Sequence, residues 1–91
     1  MPDWLSSGRR RDVCVALYGT DGLRAQELKA RVEDHYDHRI EPRTFYGALD
    51  KLVERGYLER RTEEIHDVYA LTDDGRTALE AHYEWVRSEL E

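Results

Sequence analysis

Residues 43–75 constrain the fold of this chain more than any other segment. They read Arg-Thr-Phe-Tyr-Gly-Ala-Leu-Asp-Lys-Leu-Val-Glu-Arg-Gly-Tyr-Leu-Glu-Arg-Arg and then, after a short polar gap, Asp-Val-Tyr-Ala-Leu-Thr-Asp-Asp-Gly. An apolar pattern of helical period ends at Gly56, where a left-handed C′ residue is easiest for glycine. Two short β-rich runs follow, and a new helix opens at Thr72, a favoured N-cap, with Asp73 and Asp74 at its positive end. That order predicts a helix followed by a β-wing and a closing helix.

The segments before it complete a small α+β pattern. Over residues 8–18, Val13, Ala16 and Leu17 recur at helical spacing, and Gly19-Thr-Asp-Gly22 ends the run with turn residues. Leu23 is either a one-residue strand or a core plug. Ala25, Leu28, Val32 and Tyr36 then share one face of a second helix over residues 24–36, whose start is poorly capped because Arg24 is not a favoured N-cap. Pro42 suits the first turn of a third helix over residues 42–55, in which Phe45, Leu49, Leu52 and Val53 turn inward. The wing covers residues 57–71, with its tip at Glu63-Glu-Ile-His66, and the last helix covers residues 73–90. The expected fold class is therefore mainly α with a small β-hairpin, a winged helix-turn-helix in one domain over residues 1–91, closed by a C-terminal dimerisation helix.

Two helices with a short connector give the geometry in which the second can enter a DNA major groove. The outward side of that helix carries Arg43, Thr44, Tyr46, Gly47 and Lys51, with Arg39 just ahead of it and Arg60 and Arg61 on the wing. Strand alternation lets only one of Arg60 and Arg61 point toward DNA. A formal net charge of −6 is unusual for a nucleic-acid binder. Its distribution removes the objection: beyond Thr62 only Arg76 and Arg87 stand against nine acidic residues, and the remainder of the chain is nearly balanced. The expected partners are double-stranded DNA and a second copy of the chain, with no membrane.

Length and composition support that reading. A 91-residue chain has room for one core near the lower limit of comfortable stability, so help from a partner chain is expected. No run approaches the ~18 apolar residues of a membrane span, and the start Met-Pro-Asp-Trp lacks the order of a signal peptide, so a cytoplasmic location is expected. The lone Cys14 fits a reducing compartment.

At the level of motifs the chain resembles the PadR family of winged-helix transcription regulators. Thr44-Phe-Tyr-Gly-Ala-Leu-Asp-Lys-Leu-Val-Glu-Arg-Gly56 is similar to the family's Thr-Leu-Tyr-x-x-Leu-x-x-Leu-x-x-x-Gly recognition helix. Tyr69-Ala-Leu-Thr-Asp-Asp-Gly75 is similar to its Tyr-x-Leu-Thr-x-x-Gly junction between wing and last helix. The resemblance implies that Tyr46 touches the DNA backbone and that Thr44 and Arg43 lie at the groove-facing end of the helix. It also implies dimerisation through the last helix, here in a short form. Where the family often has a basic residue two places before the wing tyrosine, this chain has Asp67. Trp4 and Leu5 are expected to pack with Leu79, Tyr83, Val86 and Leu90 of a partner subunit, and Trp85 lies on an adjoining stripe with Ala78 and Ala81.

The expected function is that of a homodimeric, sequence-specific DNA-binding regulator, by default a repressor, reading a palindromic operator. Two alternatives stay open: a winged-helix module that binds a protein of the transcription machinery, and a metal- or redox-switched regulator. His35 and His38 with Asp34 and Asp37 lack a strong ligand spacing, and Cys14 between Val13 and Val15 reads as a buried small residue. No cofactor is called for. A small-molecule effector held by the aromatic residues of the last helix is open, although packing between subunits uses them more simply. No catalytic motif is present, neither a glycine-rich phosphate loop nor a nucleophile elbow, so an enzyme is not expected.

Twelve of the 14 basic residues are arginine, against 20 acidic residues. That balance fits either a proteome adapted to high salt or an ordinary acidic protein from a GC-rich genome. In molar salt the Debye length shrinks to ~3 Å and contacts with phosphate act only at short range. Thermal melts across a KCl series separate the two origins: a salt-adapted chain loses structure as KCl is withdrawn, whereas the other keeps its melting point.

Overall fold

The computed structural model describes residues 8–91. Four helices, α1 (Gly8–Leu17), α2 (Ala25–Tyr36), α3 (Pro42–Glu54) and α4 (Asp73–Leu90), surround a sheet of β1 (Leu23–Arg24), β2 (Leu58–Glu63) and β3 (His66–Leu71). The sheet is antiparallel in the order β1-β3-β2, which is the α+β winged-helix arrangement. Leu23 pairs with Tyr69 and Arg24 with Val68, so the segment read as a one-residue strand or a core plug is a third strand. It hydrogen-bonds the edge of β3 that the hairpin leaves open, satisfying backbone groups beside the buried Val68 and Tyr69.

The core collects Val13, Cys14 and Leu17 of α1, Leu28 and Val32 of α2, and Phe45, Leu49 and Leu52 of α3, with Leu58, Tyr69 and Leu79 closing it. Ile40, in the turn before α3, is buried as well and fixes how α3 leaves α2. The same turn is stitched by Glu33, whose Oε2 accepts from Lys29 Nζ at 2.7 Å and from the Ile40 amide at 2.8 Å. Those two donors, Lys29 first, hold the Glu33 carboxyl below its ordinary value. Arg24 contributes no side-chain cap to α2, in keeping with its poor capping chemistry. Glu27 compensates by accepting from the Arg24 amide at 3.1 Å, one half of a capping box. On the other side, Tyr36 donates to Asp12, and Tyr18 donates to Glu80 at 2.6 Å with Arg76 lying over its ring, tying α1 to α2 and α4.

The end of α3 and the start of α4 interlock. Gly56, at φ +82°, and Tyr57 donate to the carbonyls of Val53 and Leu52, both at 3.0 Å, which is a Schellman stop. The Tyr57 carbonyl then accepts from the Thr72 amide at 3.1 Å, while Thr72 Oγ1 donates to the Gly56 carbonyl at 2.6 Å and caps Gly75 N at 3.0 Å. A Cβ on Gly75 would meet the Tyr57 carbonyl oxygen at 2.1 Å. Only glycine fits there without separating the two helices.

Cys14 is fully buried, and desolvation pushes its thiol up to about 12. Its burial in α1 agrees with the reading of Cys14 as a small core residue.

Two outcomes follow from this packing. Gly75→Ala should lower stability by about 1–3 kcal/mol or more through overpacking against a backbone atom, read as a fall in thermal midpoint, whereas Gly47→Ala, with open space around its Cβ position, should not. Cys14 should resist iodoacetamide at pH 8 in the folded protein and react once the chain is unfolded in urea.

Candidate nucleic-acid interface

The inner face of α3 is sealed in the core, and its outer face is open. Arg43, Thr44, Tyr46, Gly47, Asp50, Lys51 and Glu54 are all exposed, whereas Phe45, Leu49 and Leu52 are buried. At 100° per residue, Arg43, Gly47, Asp50 and Glu54 run along the middle of that outer face, with Tyr46 on its wing side and Thr44 and Lys51 on the other. Among the described residues, Arg43 and Lys51 carry no ion pair or side-chain hydrogen bond, so both are free for an outside partner. Gly47 has no atom within 4 Å of a Cβ position, which leaves the helix backbone approachable there. Tyr46 stands edge-on to Phe45, at 6.0 Å between ring centroids and 85° between planes, so a core residue sets the direction of an exposed phenol.

The face is flanked on both sides. Beside the N-terminal half of α3, Arg9, Arg10, Tyr36, His38, Thr44 and Ala48 line a groove of about 560 Å³. On the wing side, a smaller groove of about 290 Å³ runs between the start of α2, Tyr46, and Ile65, His66 and Asp67 of the wing. Arg39 is exposed in the turn ahead of α3, and its charge helps hold the Glu33 carboxyl down.

The wing projects from the body, because from Glu59 to Asp67 every residue is exposed. Its turn has Glu64 at φ +60°, a conformation that usually goes to glycine in a tight hairpin, and it leaves Ile65 88% exposed. Arg60 and Arg61 take opposite faces of β2. Arg60 lies opposite Tyr69 and reaches Asp50 of α3 at 3.3 Å, while Arg61 lies opposite Val68 and is engaged by Glu63 at 2.7 Å, Glu59 at 3.5 Å and the Asp21 carbonyl at 2.9 Å. Alternation thus brings Arg60 alone to the side of α3. Asp67 is held by Thr62 Oγ1 at 3.3 Å and adds no positive charge to the tip.

The last helix presents a different surface. Tyr83, Trp85 and Leu90 are 61%, 53% and 83% exposed, and Val86 is half-buried. Leu79, expected to meet a partner subunit, instead belongs to the chain's own core at 5% exposure. It lies in the first half of α4, which packs on α1 and β3, and the large exposed apolar side chains of the helix come after it. Trp4 and Leu5, placed at the same interface, lie outside the described residues. His38 in the groove and Asp50 on the outer face of α3 also belong to this candidate surface, and the sequence did not single them out for it. A histidine in a polar turn and an acidic residue on a helix meant for phosphate carry no positive signal in one dimension.

The fold recurs in solved structures. RosR of H. salinarum superposes with a TM-score of 0.85 at 25% identity, covering 91% of this chain and 76% of that one. A homodimeric winged helix-turn-helix DNA-binding domain from Mycobacterium bovis shares the fold at a TM-score of 0.72 and 20% identity, over 94% of this chain and 73% of that one. F93 from STIV, a winged-helix DNA-binding protein, does so at 0.71 and 20% identity, over 96% and 92% of the two chains. None of the curated protein sequences matches this chain. Among the described residues no helix is long and apolar enough to cross a membrane. The model of the transcriptional regulator PadR-like family matches residues 18–81, which takes in α2, α3, the whole wing and the Thr72–Gly75 junction, and the chain belongs to that family of transcriptional regulators.

Proposed function

We propose that this regulator acts as a homodimer that binds duplex DNA, placing α3 of each protomer in a major groove of a palindromic site. The observation that carries this reading is the division of α3 into a face fully buried by Phe45, Leu49 and Leu52 and an open face with unpaired Arg43 and Lys51. A helix locked on one side and free on the other is what base readout needs. Arg43 at the N-terminal end is the candidate for a base edge, Thr44 and Tyr46 for flanking phosphates, and Gly47 for close approach of backbone to DNA. Lys51 and Arg39 supply positive charge around them, Arg60 reaches α3 from the wing through Asp50, and Arg61, on the far face of the wing, contributes least.

Dimerisation through α4 follows from Tyr83, Trp85 and Leu90, three large apolar side chains left uncovered on one terminal segment. Two protomers related by a two-fold axis would present their α3 helices to half-sites about 34 Å apart, one turn of the duplex. Binding across a promoter would repress by excluding polymerase. The DNA-binding nature of the M. bovis and STIV neighbours, and the homodimeric state of the former, support the reading. The likeness to RosR of H. salinarum, with the arginine-rich acidic composition, supports a salt-adapted protein. The family offers no support for an enzymatic role.

Fluorescence anisotropy on duplexes recovered from genomic fragments tests the DNA contact. The logarithm of the binding constant should fall linearly with log salt, with a slope of about 0.9 per phosphate neutralised. Arg43→Ala should cost about 1–3 kcal/mol on preferred duplexes and much less on the rest. An affinity independent of both salt and sequence would contradict it. Sedimentation equilibrium tests the assembly: a dimer at micromolar concentration, converted to a folded monomer by Tyr83→Arg combined with Leu90→Arg.

A further inference from the structure

Asp50 is out of place on a phosphate-seeking surface. It sits in the centre of the outer face of α3, one turn beyond Gly47, and its side chain is 65% exposed. Its partner Arg60 comes from the wing, with Nη1 3.3 Å from Oδ1, and is itself 45% exposed. A pair so open to water contributes little to stability, so the contact does not account for the carboxylate as a structural tie. It does set a positive charge beside the carboxylate, which offsets its repulsion of phosphates. Arg60 lies opposite the buried Tyr69 in the pairing of β2 with β3. The arginine's backbone is thus held in the sheet while its side chain reaches out to α3.

An ionised carboxylate only accepts hydrogen bonds, and with one oxygen on Arg60 the other is open. In the major groove the exocyclic amines of cytosine (N4) and adenine (N6) are the base donors, and carboxylates pair characteristically with cytosine N4. Guanine shows N7 and O6, both acceptors, and repels it. Gly47, lacking a side chain one turn earlier, leaves room for a base edge to come close.

Resting on the DNA-binding reading, we infer that Asp50 is a specificity-determining residue that accepts a hydrogen bond from a cytosine amine in each half-site, with Arg60 as the positioning residue that neutralises and orients it.

Selection of bound duplexes from a randomised pool by the full chain, wild type beside Asp50→Ala, Asp50→Asn and Arg60→Ala, tests the assignment. The wild type should enrich cytosine at one position per half-site. Asp50→Ala should lose that preference alone and weaken binding to the selected duplex about tenfold or more, with unselected DNA bound as well as before. Asp50→Asn should move the preference toward adenine, whose N6 and N7 suit an amide. Arg60→Ala should blunt the same position while keeping the melting point and salt slope. Unchanged preferences in both Asp50 variants would overturn the inference and leave DNA binding intact, and a uniform loss with a shallower salt slope in Arg60→Ala would make Arg60 a phosphate contact and overturn its positioning role. No enrichment by the wild type would remove sequence-specific binding itself.

Discussion

The rest of the structure depends on one backbone carbonyl, that of Tyr57. It accepts from the Thr72 amide and lies against Gly75, so close that a methyl group on Gly75 would overlap it. Thr72 uses its one hydroxyl twice, donating to the Gly56 carbonyl and capping α4. The stop of α3 and the start of α4 are in this way a single junction, with the hairpin as the loop between them. Gly56 takes a left-handed φ that favours glycine, and Gly75 has no room for a Cβ, so a side chain is strained at the first and clashes at the second. The two motifs that mark the family are therefore one contact seen twice in the sequence.

That junction sets the relation between the surfaces that matter for function. It fixes the end of α3, whose roll is set by the buried Phe45, Leu49 and Leu52, and the roll decides which residues face outward. It fixes the wing beside α3, which lets Arg60 reach Asp50 and places Ile65 near Tyr46 across the smaller groove. It also aims α4 away from the body, so that Tyr83, Trp85 and Leu90 emerge beyond the last core residue, Leu79. The outer face of α3, proposed to read DNA, and the exposed end of α4, proposed to join protomers, are thus connected through this junction.

Much of this was legible in one dimension because the signals are local and steric. Phe45, Leu49 and Leu52 announce the buried face of α3 by spacing, Gly56 its end, and Thr72 the next start. The Schellman stop and the cap are properties of a few consecutive residues, which is why they read directly. Long-range placements were harder. Nothing near Leu23 and Arg24 reveals that they pair with β3, because the partner lies more than forty residues on. Leu79 belongs to the same apolar stripe as Tyr83 and Val86, and periodicity cannot tell where along a helix the chain's own body ends and an outside partner begins. Asp50 was passed over because its charge is wrong for phosphate, and only the wing arginine beside it gives it a use. Arg60 and Arg61 show the reverse case, where strand alternation foretold that they would diverge and three dimensions decided which one faces α3.

The central claim is that the outer face of α3, locked in place from beneath, is the surface that meets the double helix. Amide chemical-shift mapping of the labelled full chain against a duplex recovered from its genome tests this most directly. The account expects the largest changes at residues 43–51 and in the neighbouring wing, with the amides of the second half of α4 nearly still. Changes gathered on α4 with α3 silent, or none anywhere at saturating duplex, would contradict it.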